Sequence, residues 1–347
     1  MKRLTIILLS AFIVSSGFAQ NQKTNNNWLP VFDCSFPTKF LTFKVDSKFD
    51  YNVSSNSSLA EIGNGKTEVK QDRIATISLR FPIVNNSNFK LNGGLKYFDE
   101  ELAFDNEGDI DYPFYVSLED RNLKNIGGNL NGLIHLNGNR SILARSSFSL
   151  AGDFYRNGED FSFSKLLKFS MAVGYGIKKN QYTYYAFGVY TGYTFGTPSV
   201  YPAFILSKRF KNNLGIDALL PQRFRLWKRI NPGTFVYLNS KVAGNSYTVR
   251  LNNSILEEAE SLQLRSSFVV SSLGFTKKLG KWIWMEAEAG LSNNLNFNIS
   301  ETDFVKGSTL PKPNTDYLIK SKVNASRFVS FSLFLAPPDE FLNKFRN

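Results

Sequence analysis

Two residue types that build many functional sites are almost missing: the 347 residues include one Cys and one His. A single Cys excludes a disulfide framework and any thiolate metal cluster. A single His excludes every site that needs two imidazoles. Beyond the first twenty residues no apolar run approaches the roughly 20 residues of a helical membrane span, and the mean hydropathy is −0.22. Acid is in deficit, with 29 Asp and Glu against 41 Lys and Arg and a formal net charge of +12. Aromatic residues are plentiful at 15%, mostly 32 Phe and 15 Tyr.

The N-terminus reads as an export address. Lys2 and Arg3 form a basic start, Leu4 to Val14 an apolar block, and Gly17-Phe18-Ala19 a small-x-small cleavage site. The expected organisation is a signal peptide over 1–19, a periplasmic segment over 20–39, a membrane barrel over 40–336 and a periplasmic tail over 337–347. No Cys follows the cut, so a lipid anchor is not expected, and Cys34 is read as a lone thiol. Export argues against nucleic acid as a partner.

The remainder alternates with period two, the signature of strands whose side chains point to opposite faces in turn. Over 166–177, Leu167, Phe169, Met171, Val173, Tyr175 and Ile177 oppose Lys168, Ser170, Ala172, Gly174 and Gly176. Over 41–53, Leu41, Phe43, Val45, Phe49, Tyr51 and Val53 oppose Thr42, Lys44, Asp46, Lys48, Asp50 and Asn52. A soluble sandwich alternates too. The export signal, strands beyond the usual length, and aromatic faces set against Gly, Ser, Lys and Asp favour an all-β, antiparallel transmembrane β-barrel. In hydrocarbon every backbone N–H and C=O must be paired, so strands span only as a closed ring.

Link lengths predict the strand count. Short turns stand at 85–88, 137–139, 178–180, 211–213, 231–233 and 279–281, rich in the Asn, Gly and Pro that tight reversals need. Longer polar links lie near 54–68, 105–122, 156–164, 251–261 and 299–321, with short ones at 196–198 and 221–222. Six turns and seven loops make fourteen strands with both ends periplasmic; 213–230, read as two short strands, is the weak point, since merging them would break the alternation of short and long links, and twelve strands is the alternative.

With apolar residues facing lipid, the expected lumenal cations are Arg223, Arg225, Arg229, Lys44, Lys48, Arg80, Lys90, Lys96, Arg145 and Lys168. Lumenal acids are Asp46, Asp50, Glu286 and Glu288. A lipid-facing Arg or Lys costs about 2–4 kcal/mol at mid-depth, which favours inward placement. The arginine row has two readings: an anion-attracting constriction, or an ion-pair network with Glu286 and Glu288, the second being favoured. The expected surroundings are outer-membrane lipid and lipopolysaccharide, with the barrel-assembly machinery for insertion; the small-molecule ligand is unknown.

Catalysis finds little support. His135 is the one imidazole, on the lumenal parity of its strand with Asn129 and Asn131, and Ser147 and Ser149 of the next strand are its candidate partners. The recognisable His/Ser contexts of lipid-hydrolysing barrels are absent. Gly174-Tyr175-Gly176 belongs to an alternating face without a following helix, so no cofactor is expected. Asp105, Glu107, Asp109 and Asp111 read as a solvated loop, because the spacing of a calcium loop is missing.

Ser199-Val-Tyr-Pro-Ala-Phe, followed by a hairpin and then Leu214-Gly-Ile-Asp-Ala-Leu-Leu-Pro-Gln-Arg-Phe-Arg-Leu, resembles an uncharacterised outer-membrane β-barrel family of Gram-negative bacteria, a domain of unknown function. The resemblance covers about 40–336 and implies the fold but no activity or site residues. Fatty-acid-transporter barrels are similar in inferred strand count alone. The expected function is a narrow pore or small-solute transporter. The alternatives are a non-conducting structural or surface-interaction barrel and a lipid-modifying enzyme around His135.

Overall fold

The computed structural model describes residues 36–60, 62–86, 88–105, 112–119, 121–136, 139–153, 163–250, 262–301 and 317–337. The expected signal peptide, Cys34, the acids Glu107, Asp109 and Asp111, and the tail beyond 337 lie outside the described residues.

Alternating residues form β1 (Leu41–Ser57), β2 (Asn64–Asn85), β3 (Phe89–Phe104), β4 (Leu123–His135), β5 (Arg140–Gly152), β6 (Leu167–Asn180) and β7 (Thr183–Gly192). They continue as β8 (Ser199–Arg209), β9 (Leu214–Leu220), β10 (Arg223–Asn231), β11 (Thr234–Val249), β12 (Leu262–Lys278) and β13 (Ile283–Ser300). The last strand, β14, comes in two pieces, Tyr317–Val323 and Ser326–Leu335. Each strand pairs antiparallel with the next, and both pieces of β14 pair with β13 on one side and β1 on the other. The result is a closed antiparallel barrel of fourteen strands, with 213–230 split in two at Pro221-Gln222. The six links at one end, here the turn end, have two to four residues, and the longest links lie at the opposite, loop end.

The barrel turns inside out partway along its axis. Near the turn end the outer surface is an apolar belt, with Phe43, Val45, Ile77, Phe148, Phe169 and Phe331 all exposed. The inner face there carries Thr42, Lys48, Glu286, Glu288, Ser330 and Ser332, all buried. Toward the loop end the inner face becomes apolar: Val53, Val69, Leu102, Leu264, Ile299 and Ile319 are buried in one cluster. Outward there stand Asn52, Lys70, Glu101 and Lys322, all exposed. The apolar belt meets lipid, and the reversed section meets water, where a strand must put its apolar side inward like a soluble protein.

In four strands a local irregularity makes the switch, because one extra residue re-aims every side chain beyond it. Asp50 adopts a left-handed φ of 48° in β1. The pairing of β2 with β3 slips between Val69 and Gln71, and β12 and β13 slip beside Ser267. Between its two pieces, at Asn324 and Ala325, β14 is interrupted. Two expectations are therefore corrected. Tyr51 and Val53 turn inward instead of toward lipid. Asp50 is not lumenal: it is exposed on the outside and accepts a hydrogen bond from Arg327 at 3.0 Å. In β3 no slip is needed, since its own sequence passes from Lys96 to Leu102 on one parity.

The wall is also uneven in height. Strands β7–β10 have only 7–11 residues, whereas β1, β2, β12 and β13 have 17–22. Above the short strands β5 and β11, which ascend side by side, meet in a parallel contact between Gly152 and Thr248. A Cβ at Gly152 would lie 2.5 Å from the Thr248 carbonyl oxygen, so glycine permits the approach. Asp153 follows, accepting from the Arg250 amide at 3.1 Å and facing Arg121 at 3.6 Å. Burial pushes its carboxyl up, against the opposing pull of those two donors. The loop end thus narrows to a ring of nine strands.

This reversal makes a labelling prediction. In a Cys34→Ser background reconstituted in lipid vesicles, Asn52→Cys and Lys322→Cys should react with a membrane-impermeant maleimide. Val45→Cys and Phe331→Cys should stay unlabelled. Equal labelling of all four would place the water boundary elsewhere.

Candidate functional site

The narrowed ring is filled from within. Helix α1 (Pro113–Glu119), from the long β3–β4 link, packs inside it with Phe114 fully buried. The Tyr115 hydroxyl donates to the Gly65 carbonyl at 3.0 Å and lies 3.1 Å from the Ser55 hydroxyl oxygen. Tyr112 lies against Gly65, where a Cβ would meet its ring at 2.5 Å. Burial pushes the Tyr112 hydroxyl up to about 12. The chain thereby places an apolar plug inside the loop end. Beside it the β7–β8 link crosses β11: a Cβ on Gly244 would lie 2.5 Å from both the Thr194 carbonyl oxygen and the Gly196 amide nitrogen.

Below the plug one side of the lumen is a wall of paired charges. Lys44 binds Asp46 at 2.6 Å, and Lys48 binds Asp72 at 2.5 Å. The Tyr51 hydroxyl donates to Asp72 at 3.0 Å, and Lys48 also sits 4.2 Å from the centre of the Phe268 ring. Glu100 accepts from the Tyr247 hydroxyl at 2.8 Å. These contacts offset the desolvation of charge held away from bulk water.

At the turn end Phe36 tucks into the lumen against Trp227, Phe235 and Tyr237. Arg223, Arg225 and Arg229 share the inner face of β10. Arg225, 6% exposed, lies between the rings of Phe36 and Tyr237, at 4.5 and 4.6 Å from their centres. Arg229 lies 5.6 Å from the Phe235 ring centre. Of the expected pairing of this row with Glu286 and Glu288, Arg225 acts electrostatically on Glu286. Glu286 takes Lys39 at 2.7 Å and the Thr276 hydroxyl at 3.1 Å. Glu288 accepts from Ser272 at 2.7 Å and from Asn239 and Tyr237 at 3.3 Å. The acid opposite Arg225 is Asp217, buried and accepting from Ser207 at 2.6 Å.

The remaining expected cations occupy separate places. Lys168 reaches across to Gln263 at 2.5 Å, Lys96 lies 4.7 Å from the Phe98 ring centre, and Lys90 is buried. Arg80 is exposed on the inner parity of β2 near the turn end. Asp105 pairs with Lys70 at 3.0 Å. Register separates His135 from its suggested serines: it stands opposite Ser141, while Ser147 stands opposite Asn129, six residues along the strand and about 20 Å away. Sequence reading missed Asp72, Glu100, Lys39 and Asp217. Parity alone would have found Asp217. Asp72 lies just past a slip, and Lys39 precedes the first strand.

The opposite side of the lumen is different in kind. The inner faces of β6, β7 and β8 offer Ala172, Gly174, Ala186, Gly188 and Ala203, and with β5 and β9 they bound a partly open pocket with a cavity volume of about 50 Å³. Arg145, Tyr190, Tyr201 and Gln222 supply its polar groups. The two tyrosine rings stack with centres 5.0 Å apart, and Tyr201 donates to Thr194 at 2.6 Å. Leu133, Leu143 and Ala186 pack together toward the turn end.

The buried Lys48–Asp72 pair yields a stability prediction. Asp72→Asn leaves the Lys48 charge stranded and should cost about 3–5 kcal/mol in urea unfolding from lipid vesicles. Lys48→Met combined with Asp72→Leu should recover most of that loss. A single substitution within 1 kcal/mol of wild type, on the order of a surface change, would show that the pair is not structurally coupled.

No protein-family model matches the chain, and no curated protein matches it in sequence. Solved barrels match it in structure. The toluene transporter TodX of Pseudomonas putida is 10% identical, with a TM-score of 0.31 over 88% of this chain and 91% of that one. The outer membrane protease OmpT of Escherichia coli is 7% identical, with a TM-score of 0.28 over 86% and 97%. The translocator domain of the autotransporter NalP of Neisseria meningitidis is 8% identical, with a TM-score of 0.27 over 84% and 88%. Identities and scores at this level carry no function from those chains to this one.

Proposed function

We propose that this chain is an outer-membrane barrel that passes a small solute through a lumen closed at rest. The loop end faces outward in this reading, and both chain ends face the periplasm. The carrying observation is the combination of an apolar plug inside the loop end with a small apolar pocket on the β5–β9 side of the lumen. A wide aqueous pore would leave its mouth hydrated, whereas here the mouth is occupied by Phe114, Tyr115 and their apolar neighbours. The plug comes from a link between strands and not from the wall, so it is the part that can leave without breaking the ring.

Exposed Lys66, Lys70, Lys320, Lys322 and Arg327 stand outside the reversed section, at the height where phosphorylated lipid headgroups begin. They support lipopolysaccharide as the surrounding lipid. Insertion then proceeds through the barrel-assembly machinery, and the resemblance of 199–226 to an uncharacterised outer-membrane family agrees with this setting.

A non-conducting structural barrel is the second reading, favoured by the same apolar plug. Planar-bilayer recording separates the two. The full chain should be nearly silent, and deletion of residues 106–120 should give stable current from a barrel that still folds. A folded deletion variant that stays silent would remove the transport reading.

A further inference from the structure

The apolar side of the lumen holds a charge that no described carboxylate neutralises. Arg145 projects from the middle of β5 into the pocket. The pocket lining contains neither Asp nor Glu. Among the described residues no carboxylate pairs with Arg145, although Asp46, Asp72, Glu286 and Glu288 of the opposite wall each engage a Lys, a hydroxyl or both. Its charged neighbours include Arg80, Arg223 and Lys96, of its own sign. A half-buried guanidinium among other cations is a costly arrangement unless an anion completes it.

The surroundings define what such an anion must carry. Ala172, Gly174, Ala186, Gly188 and Ala203 leave a wide, shallow, apolar surface beside the guanidinium. It spans five strands, about 19 Å across, and three to five residues, about 10–16 Å, in height. That outline suits a compact ring or branched body better than an extended chain. Tyr190, Tyr201 and Gln222 stand at its edge as hydrogen-bonding groups. A guanidinium presents parallel N–H donors that match a carboxylate in two-point contact.

We propose that this pocket binds a compact organic monocarboxylate, with the carboxylate on Arg145 and the apolar body against the Ala/Gly surface of β6–β8. The assignment names the solute class for the transport reading and rests on it only for its physiological meaning. Binding at equilibrium needs no conductance, so the two can fail separately.

The test is calorimetric titration of the full chain in lipid nanodiscs with cyclohexanecarboxylate, cyclohexylmethanol and inorganic phosphate. The acid should bind saturably, the alcohol at least tenfold more weakly, and phosphate without saturation. Arg145→Gln should bring the acid down to the level of the alcohol and leave the alcohol unchanged. Arg145→Lys should restore part of the difference. Ala203→Phe, which fills the pocket from β8, should weaken acid and alcohol together. Each variant is checked for folding by the heat-dependent shift of barrels on gels. Equal binding of acid and alcohol, acid binding unaffected by Arg145→Gln in a folded barrel, or phosphate binding as tightly as the acid would overturn the proposal.

Discussion

Everything in this molecule follows from the demand that hydrocarbon makes on a polypeptide backbone. Inside a bilayer no water is present to satisfy N–H and C=O groups, so each must find a partner within the chain. Fourteen strands closed between β14 and β1 meet that demand completely along the apolar belt. The same demand explains why the side chains reverse where the belt ends. Once water replaces lipid outside, hydrophobic burial acts inward again, and strands with slips at Asp50, Lys70 and Asn324-Ala325 re-aim their faces at nearly one height.

The reversal gives the barrel two interiors. One is a small apolar core under the loops, built like that of a soluble protein and completed by α1. The other is a polar lumen at membrane depth, in which lysines, carboxylates and hydroxyls answer one another along β1, β2, β12 and β13. Between these lies the low wall of β6–β10, where Ala and Gly replace charge and space remains. Short strands produce this asymmetry. They stop below the apolar core, and the contact of β5 with β11 closes the ring above them.

Much of the fold was legible in the residues because alternation reports directly on what each face touches. The Asn-, Gly- and Pro-rich turns mark the hairpins, and splitting 213–230 at Pro221 agrees with the observed β9 and β10. The lumen was less legible. Strict alternation places Asp50 inside and Tyr51 outside, because a slip of one residue leaves no mark in composition. Pairing partners were hidden for a similar reason. Glu286 belongs to Lys39, a residue before the first strand, and no strand periodicity reaches it.

The sequence by itself determined the barrel and the apolar belt, and favoured fourteen strands over twelve. These depend on neighbours along one strand and on the length of links, both of which are local. Only the tertiary structure decided that the loop end is plugged by α1, that Arg225 lies between Phe36 and Tyr237, and that Arg145 faces a pocket without acids. Those facts depend on how residues far apart in the chain meet across a closed ring. Such meetings are set by shear, strand height and register, which no single segment encodes.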